Sequence, residues 1–187
     1  PLSNEIQPFD NENKVDGFKF ADILSDYSKV TDVFVGSSSG RTCGISHMAY
    51  RLKKGQRFVS SMGLGSMGWC IPSSIACCIA SGKHRTLVIE GDGSLQHNIQ
   101  ELALINNYGY ASIYTMQRNN FKGRFAGCNK DSGMSFPEIH KLAEAYSLKY
   151  YCIHNNDEIK PILDIVMKDN TPCICEIVGS INFDEIP

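Results

Sequence analysis

The sequence predicts an α/β fold, a three-layer, doubly wound sheet of about six parallel strands with helices on both faces. Three observations predict it. Short runs rich in β-branched and aromatic residues alternate regularly with helix-patterned stretches. Three of the strand ends are glycine- and serine-rich loops that lead straight into a helix. The chain has 187 residues, enough to bury one continuous core.

Taken in order, residues 1–16 are polar, with Asn, Asp and Glu around Pro1 and Pro8, and read as a linker or surface arm; residues 17–187 form the domain. The strand candidates are Asp32–Gly36, Arg57–Ser61, Thr86–Glu90, Ala111–Met116, Lys149–Ile153 and Cys173–Val178. Helices are expected near 41–54, 67–81, 95–107, 136–147 and 156–168. Ser135, with Pro137 in the first turn and Glu138 three residues on, has the pattern of a capping box. The helix it opens places Ile139, Leu142, Ala143 and Tyr146 at helical spacing. Asn155 or Asn156 is expected to cap the last helix, whose Ile159, Ile162, Leu163, Val166 and Met167 form an apolar stripe. These stripes read as core.

Composition narrows the function. The chain is 42% hydrophobic and 20% charged with net charge −2, so gross basicity gives no reason to expect nucleic acid or an anionic membrane. Any phosphate must be held by local geometry. No apolar run approaches the roughly 20 residues that cross a bilayer, and Pro1-Leu2-Ser3-Asn4-Glu5 lacks the pattern of a signal peptide. The missing initiator Met suggests an excised piece of a longer chain. Of the eight cysteines none forms a C-x-x-C pair, which argues against zinc or a thioredoxin-type motif. They read as reduced core thiols of a cytoplasmic protein.

In parallel sheets ligands bind beyond the carboxyl ends of the strands. Three such ends stand out: Gly36-Ser37-Ser38-Ser39-Gly40, Ser60 through Gly68, and Gly91-Asp92-Gly93-Ser94. Gly63–Gly68 alone matches G-x-G-x-x-G, and Glu90 ends the next strand, so an NAD(P)-binding Rossmann oxidoreductase is the rival reading. The third loop points elsewhere. Asp92 lies between two glycines, and the strand after the next helix ends at Arg118-Asn119-Asn120. Neighbouring parallel strands finish at one edge, so Asp92 and Asn119 can converge there. One carboxylate, one amide oxygen and a carbonyl suit a hard cation that keeps room for phosphate oxygens.

This stretch resembles the signature of thiamine-diphosphate enzymes, in which Gly-Asp-Gly is followed, a helix and a strand later, by Asn-Asn. The wider likeness is to the acetolactate synthase and pyruvate decarboxylase type. It includes Ser61–Gly68, Gly91–Leu102, Phe136–Tyr146 and Cys173–Val178, and covers the chain from about Val15 onward. The resemblance implies thiamine diphosphate and Mg²⁺ as cofactors. It makes Asp92, Asn119 and the backbone carbonyl of Phe121 the metal ligands, with Asn120 as the alternative to Asn119. Gly123 then matches the family's glycine, while Arg118 departs from the first Asn of the pair. Gly91, Gly93 and Ser94 should hold the diphosphate, and Ser37 and Ser38, standing where relatives often carry Gln-His, should bond the same group less strongly. Gly65, Ser66 and Met67 should meet the aminopyrimidine and the bend of the cofactor.

The same resemblance implies a 2-oxo acid decarboxylase or carboligase. No catalytic residue is expected in this chain, because the activating glutamate belongs to a pyrimidine-binding domain of the same or another chain. A homodimer or tetramer is the expected assembly. A natural small subunit, of the sulfopyruvate decarboxylase type, is the other reading of the chain's length. His97 and His47 are of the residue type that serves as acid or base near neutral pH but read as structural, and Lys122, Arg124 and Lys130 as a solvated loop.

Overall fold

A computed structural model describes residues 14–98, 110–169 and 171–180. The first element is a helix the pattern above does not list. Asp16 accepts from the backbone N–H groups of Phe18 and Lys19, and α1 (Gly17–Tyr27) buries Phe18, Phe20, Ala21 and Leu24. That cap and that spacing were readable, but the polar run before them hides the start. Val15 is buried and its N–H donates to the Val178 carbonyl, so the end of the polar stretch packs onto the fold.

Next come β1 (Val33–Val35), α2 (Gly40–Met48), β2 (Arg57–Val59), α3 (Cys70–Ala80) and β3 (Thr86–Val88). The three strands form a parallel sheet in the order β2-β1-β3. A second parallel sheet pairs β4 (Lys149–Ile153) with β5 (Cys173–Ile177). The pleat sends successive side chains to opposite faces. On β1, Phe34 joins the cluster of Phe18, Leu24, Ile45 and Tyr50 from α1 and the α2 region, while Val33 and Val35 pack with Cys70 and Cys77 of α3. On β5, Ile177 meets Ile159 and Leu163 of α7 (Ile159–Val166), and Ile174 meets Ile139 and Ala143 of α6 (Ile139–Ala145). Helices thus cover both faces. The cluster containing Phe34, Ile89, Ile153 and Ile177 is shared by the two sheets, which gives them one core.

Three expectations need correction. Ala111–Met116 is not a strand here; it is the first part of helix α5 (Ala111–Asn120). Its Ile113, Tyr114 and Thr115 favour a strand, but local contacts favour the helix. Tyr114 stacks on Phe125 with ring centroids 4.3 Å apart, and Gln117 exchanges hydrogen bonds with the backbone of Ala126. The sheet is therefore interrupted, three strands and two, where a fourth strand was expected. The capping box at Ser135 does not form either. Glu138 is itself the N-cap of α6 and makes no side-chain cap bond, pairing instead with Lys141. The helix expected at 95–107 begins earlier, as α4 (Asp92–Leu95) continued by a 3₁₀ turn over Gln96–Asn98; its remainder lies outside the described residues. Asn155 caps as expected, accepting from Asp157 and Glu158.

Candidate functional site

The tips of β1, β2 and β3 are tied together by side chains. Glu90, following β3, is almost fully buried; its Oε1 accepts from the Ser37 hydroxyl at 2.9 Å and from the Gly91 N–H at 3.0 Å. Thr42 in turn donates to the Ser37 hydroxyl oxygen at 2.8 Å. This chain of bonds locks the loop after β1 to the loop after β3. Oε2 of Glu90 is buried without a partner among the described residues. The Cys70 thiol beside it donates to the Gly36 carbonyl, and burial, reinforced by the charge of Glu90, pushes that thiol well above its usual range. Ser37 was expected to offer its hydroxyl to a diphosphate. That hydroxyl is already committed to Glu90.

Ser38 joins the second tip, accepting from the Ser61 N–H at 3.2 Å and the Ser61 hydroxyl at 2.8 Å. The third link joins β2 to β3. Ser94 Oγ accepts from the Gly68 N–H at 2.7 Å, and Asn98 donates to the Gly68 carbonyl. Gly68 has φ +75°, and a Cβ there would lie 2.7 Å from His97, so only glycine fits this crossing. The next-door Met62, Leu64 and Met67 are exposed. His97 is an exposed spacer against Gly68 and His47 bonds the Cys43 carbonyl of its own helix, as structural histidines do. Lys122, Arg124 and Lys130 are exposed, as expected for a solvated loop.

Asp92 sits at the mouth of this arrangement, 5% exposed, with its Oδ1 accepting from the Gly93 N–H at 2.9 Å. Gly93 is covered by an aromatic ring, since a Cβ built there would lie only 2.0 Å from Tyr110 Cε1. Tyr110 is the N-cap residue of α5, its N–H donating to the Cys128 carbonyl and its ring packing edge-on against Phe136. The segment that follows thus starts at the edge where a parallel strand would finish. Asn119 is carried to the other end of α5, exposed, accepting from the Arg118 guanidinium. Asn120 bonds the Met116 carbonyl one turn back, and Phe121 is exposed. The structure gathers Ser37, Ser38, Gly65, Gly91, Asp92, Gly93 and Ser94, but not Asn119, Asn120 or Phe121. Among the described residues no three His, Cys, Asp or Glu side chains gather as a metal cluster. A lone carboxylate would leave a cation to complete its shell with neutral oxygens.

Sequence reasoning missed Thr42, Ser61 and Tyr110. Ser61 stood inside a flagged loop. Tyr110 gave no signal, because its role depends on which way the next segment turns. Glu90 was weighed only as part of the dinucleotide-binding pattern. Buried under Ser37 and Cys70, it is not placed to meet a dinucleotide, and Gly68 is filled by His97 and Asn98.

Residues 38–177 match the family model of the thiamine pyrophosphate enzyme C-terminal TPP binding domain. The chain belongs to the thiamine pyrophosphate enzyme family. The acetolactate synthase large subunit of Buchnera aphidicola subsp. Schizaphis graminum is 28% identical over 83% of this chain and 29% of its own length. That of Lactococcus lactis subsp. lactis is 31% identical over 70% of the chain and 24% of its own. For the isozyme 3 large subunit of Escherichia coli the figures are 31%, 62% and 22%. The chain thus spans less than a third of the length of these thiamine-family relatives.

Proposed function

We propose that this chain holds the diphosphate of thiamine diphosphate, and its Mg²⁺, within a 2-oxo acid decarboxylase or carboligase of the acetolactate synthase type. The observation that supports it is the joining of three glycine- and serine-rich strand tips beside the buried carboxylate of Asp92. The donor set fits the group on one flank. Asp92 supplies the single anionic oxygen that a hard cation needs when phosphates provide the rest. Ser94 brings a hydroxyl beside it, and the Gly91 and Gly93 N–H groups, which bond Glu90 and Asp92 in this structure, would turn to the diphosphate, while Glu90 keeps the loop before them in place through Ser37. Asn119, or Asn120 in its stead, and the Phe121 carbonyl are the proposed partners on the second flank. Gly65, Ser66 and Met67 belong to the exposed turn that would face the aminopyrimidine.

When bound, the thiazolium supplies the electron sink for decarboxylation. This chain's residues anchor, orient and neutralise. The activating glutamate is assigned to a pyrimidine-binding domain of the same or another chain, within a homodimer or tetramer. A six-stranded, three-layer sheet and a cytoplasmic setting complete the reading. Among the described residues no helix is long and apolar enough to cross a membrane.

Calorimetry with thiamine diphosphate, with and without Mg²⁺, tests the proposal. Heat is expected only when both are present, and its absence with both, at millimolar ligand, would overturn the assignment. Turnover of pyruvate by the chain alone would overturn the need for a second domain.

A further inference from the structure

The charge of Glu90 has no counterpart. The residue is 1% exposed; among the described residues its Oε2 has no partner, and no Lys, Arg or His forms an ion pair with it. The Cys70 thiol beside it gives its hydrogen to the Gly36 carbonyl. An ionised carboxylate accepts hydrogen bonds and has none to give, so enclosing it unbalanced is strongly unfavourable. The oxygens around it are also short of hydrogens. Ser37 Oγ lies 2.9 Å from Glu90 Oε1 and 3.2 Å from the Ser39 carbonyl oxygen. Thr42 Oγ1 lies 2.8 Å from Ser37 Oγ and 3.2 Å from the same carbonyl. These four contacts share the two hydroxyl hydrogens of Ser37 and Thr42. With Ser37 donating to Glu90 and Thr42 to Ser37, the Ser39 carbonyl meets two hydroxyl oxygens with no hydrogen between.

We propose that this cluster binds a monovalent alkali cation, held by the Glu90 carboxylate, the Ser39 carbonyl and the hydroxyl oxygens of Ser37 and Thr42. A surplus of acceptors over donors, around one unbalanced negative charge, is the pattern that a cation completes. One carboxylate among neutral oxygens matches a single positive charge. Mg²⁺ dehydrates reluctantly and demands near-ideal octahedral geometry, so an enclosed cluster with one carboxylate is a poor site for it. Ser37 and Thr42 are buried as Glu90 is, which leaves bulk water little part in balancing the charge.

The cluster adjoins the loop assigned to the diphosphate, and a further consequence rests on that reading. A Cβ on Gly91 would lie 3.4 Å from Thr42 Oγ1, so the two loops touch. The Gly91 N–H bonds Glu90 Oε1 at 3.0 Å. When that N–H turns to a diphosphate, the carboxylate keeps the Ser37 hydroxyl as donor and stands beside a second anion. Like charges so placed repel each other, and a cation at Glu90 offsets both. The alkali ion is thus an activator of cofactor binding, coupled to it through one backbone N–H.

The test compares KCl, NaCl and choline chloride on the full chain, at one pH and one ionic strength. Without cofactor, KCl or NaCl should raise the midpoint of urea unfolding above that in choline chloride, and the rise should saturate. Whichever salt acts at the lower concentration names the ion. Glu90→Gln removes the charge and keeps the shape, so its midpoint should be the same in all three salts. If that variant does not fold, Thr42→Val, which removes one ligand oxygen, should shrink the effect in its place. Equal midpoints for the wild-type chain, or a full effect in a folded variant, overturn the cation site. With Mg²⁺ present, calorimetry should show thiamine diphosphate binding about tenfold more tightly in the effective salt than in choline chloride. Glu90→Gln should bind it equally in all three, which a merely structural Glu90 would not produce. Equal wild-type affinities would overturn the coupling. Absence of binding heat in every salt fails the diphosphate reading instead, and the unfolding midpoints then decide the cation site alone.

Discussion

Asp92 and Asn119 are the two side chains the sequence assigns to one cation, and the protein treats them differently. Asp92 is 5% exposed, on a loop cross-linked to its neighbours through Glu90, Ser37, Ser94 and Gly68. Asn119 is exposed, near the end of a short helix, with Arg118 as its hydrogen-bond partner. In the proposed site the position of the carboxylate would be set by tertiary contacts before a cation binds, while that of the amide would be set by its own short helix.

The comparison predicts unequal effects of substitution. Asp92→Asn should weaken Mg²⁺-dependent binding of thiamine diphosphate by at least about a hundredfold, close to 3 kcal/mol, with the fold unchanged by circular dichroism. Calorimetry reads it; a change under threefold would remove Asp92 from the metal site. Gly93→Ala ranks next. A methyl group pushed into the Tyr110 ring should cost about 2 kcal/mol in urea unfolding of the ligand-free chain, and Tyr110→Ala should recover most of it. If Gly93→Ala is harmless alone, Tyr110 does not cover Gly93 in solution. Asn119→Ala should weaken binding about tenfold, some 1.4 kcal/mol, and leave ligand-free stability unaltered, because the side chain is exposed in that form. If Asn120→Ala does this instead, the ligand belongs one residue on.

How much of this was legible depends on where the information lies. The five strands among the described residues are all anticipated, because Val33–Val35, Arg57–Val59, Thr86–Val88, Lys149–Ile153 and Cys173–Ile177 each combine β-rich composition with flanking turns. The three loops that gather at one edge were legible from glycine and serine placed just after strands. The fate of Ala111–Met116 was not, because its composition suits a strand while Gln117, Tyr114 and their partners after residue 120 favour a helix. Composition cannot weigh those contacts. The committed hydroxyl of Ser37 was equally hidden, since it depends on the Thr42 and Glu90 side chains meeting across two strands.

The smallest expected effect concerns the Cys175 thiol of β5. It lines a cavity between β3 and β5, and burial, with lesser contributions from Cys173, Cys152 and Glu176, pushes it from 9.0 up to about 12. A folded thiol that holds its proton more tightly than the unfolded one contributes stability that is whole below pH 9. That stability drains away as pH rises toward 12. Because the residue is not wholly enclosed, the loss by pH 10.5 should be about 1 kcal/mol, read as a fall in the urea midpoint relative to pH 8. Cys175→Ala should flatten that slope. An unchanged slope in the variant would mean that another group carries the pH dependence.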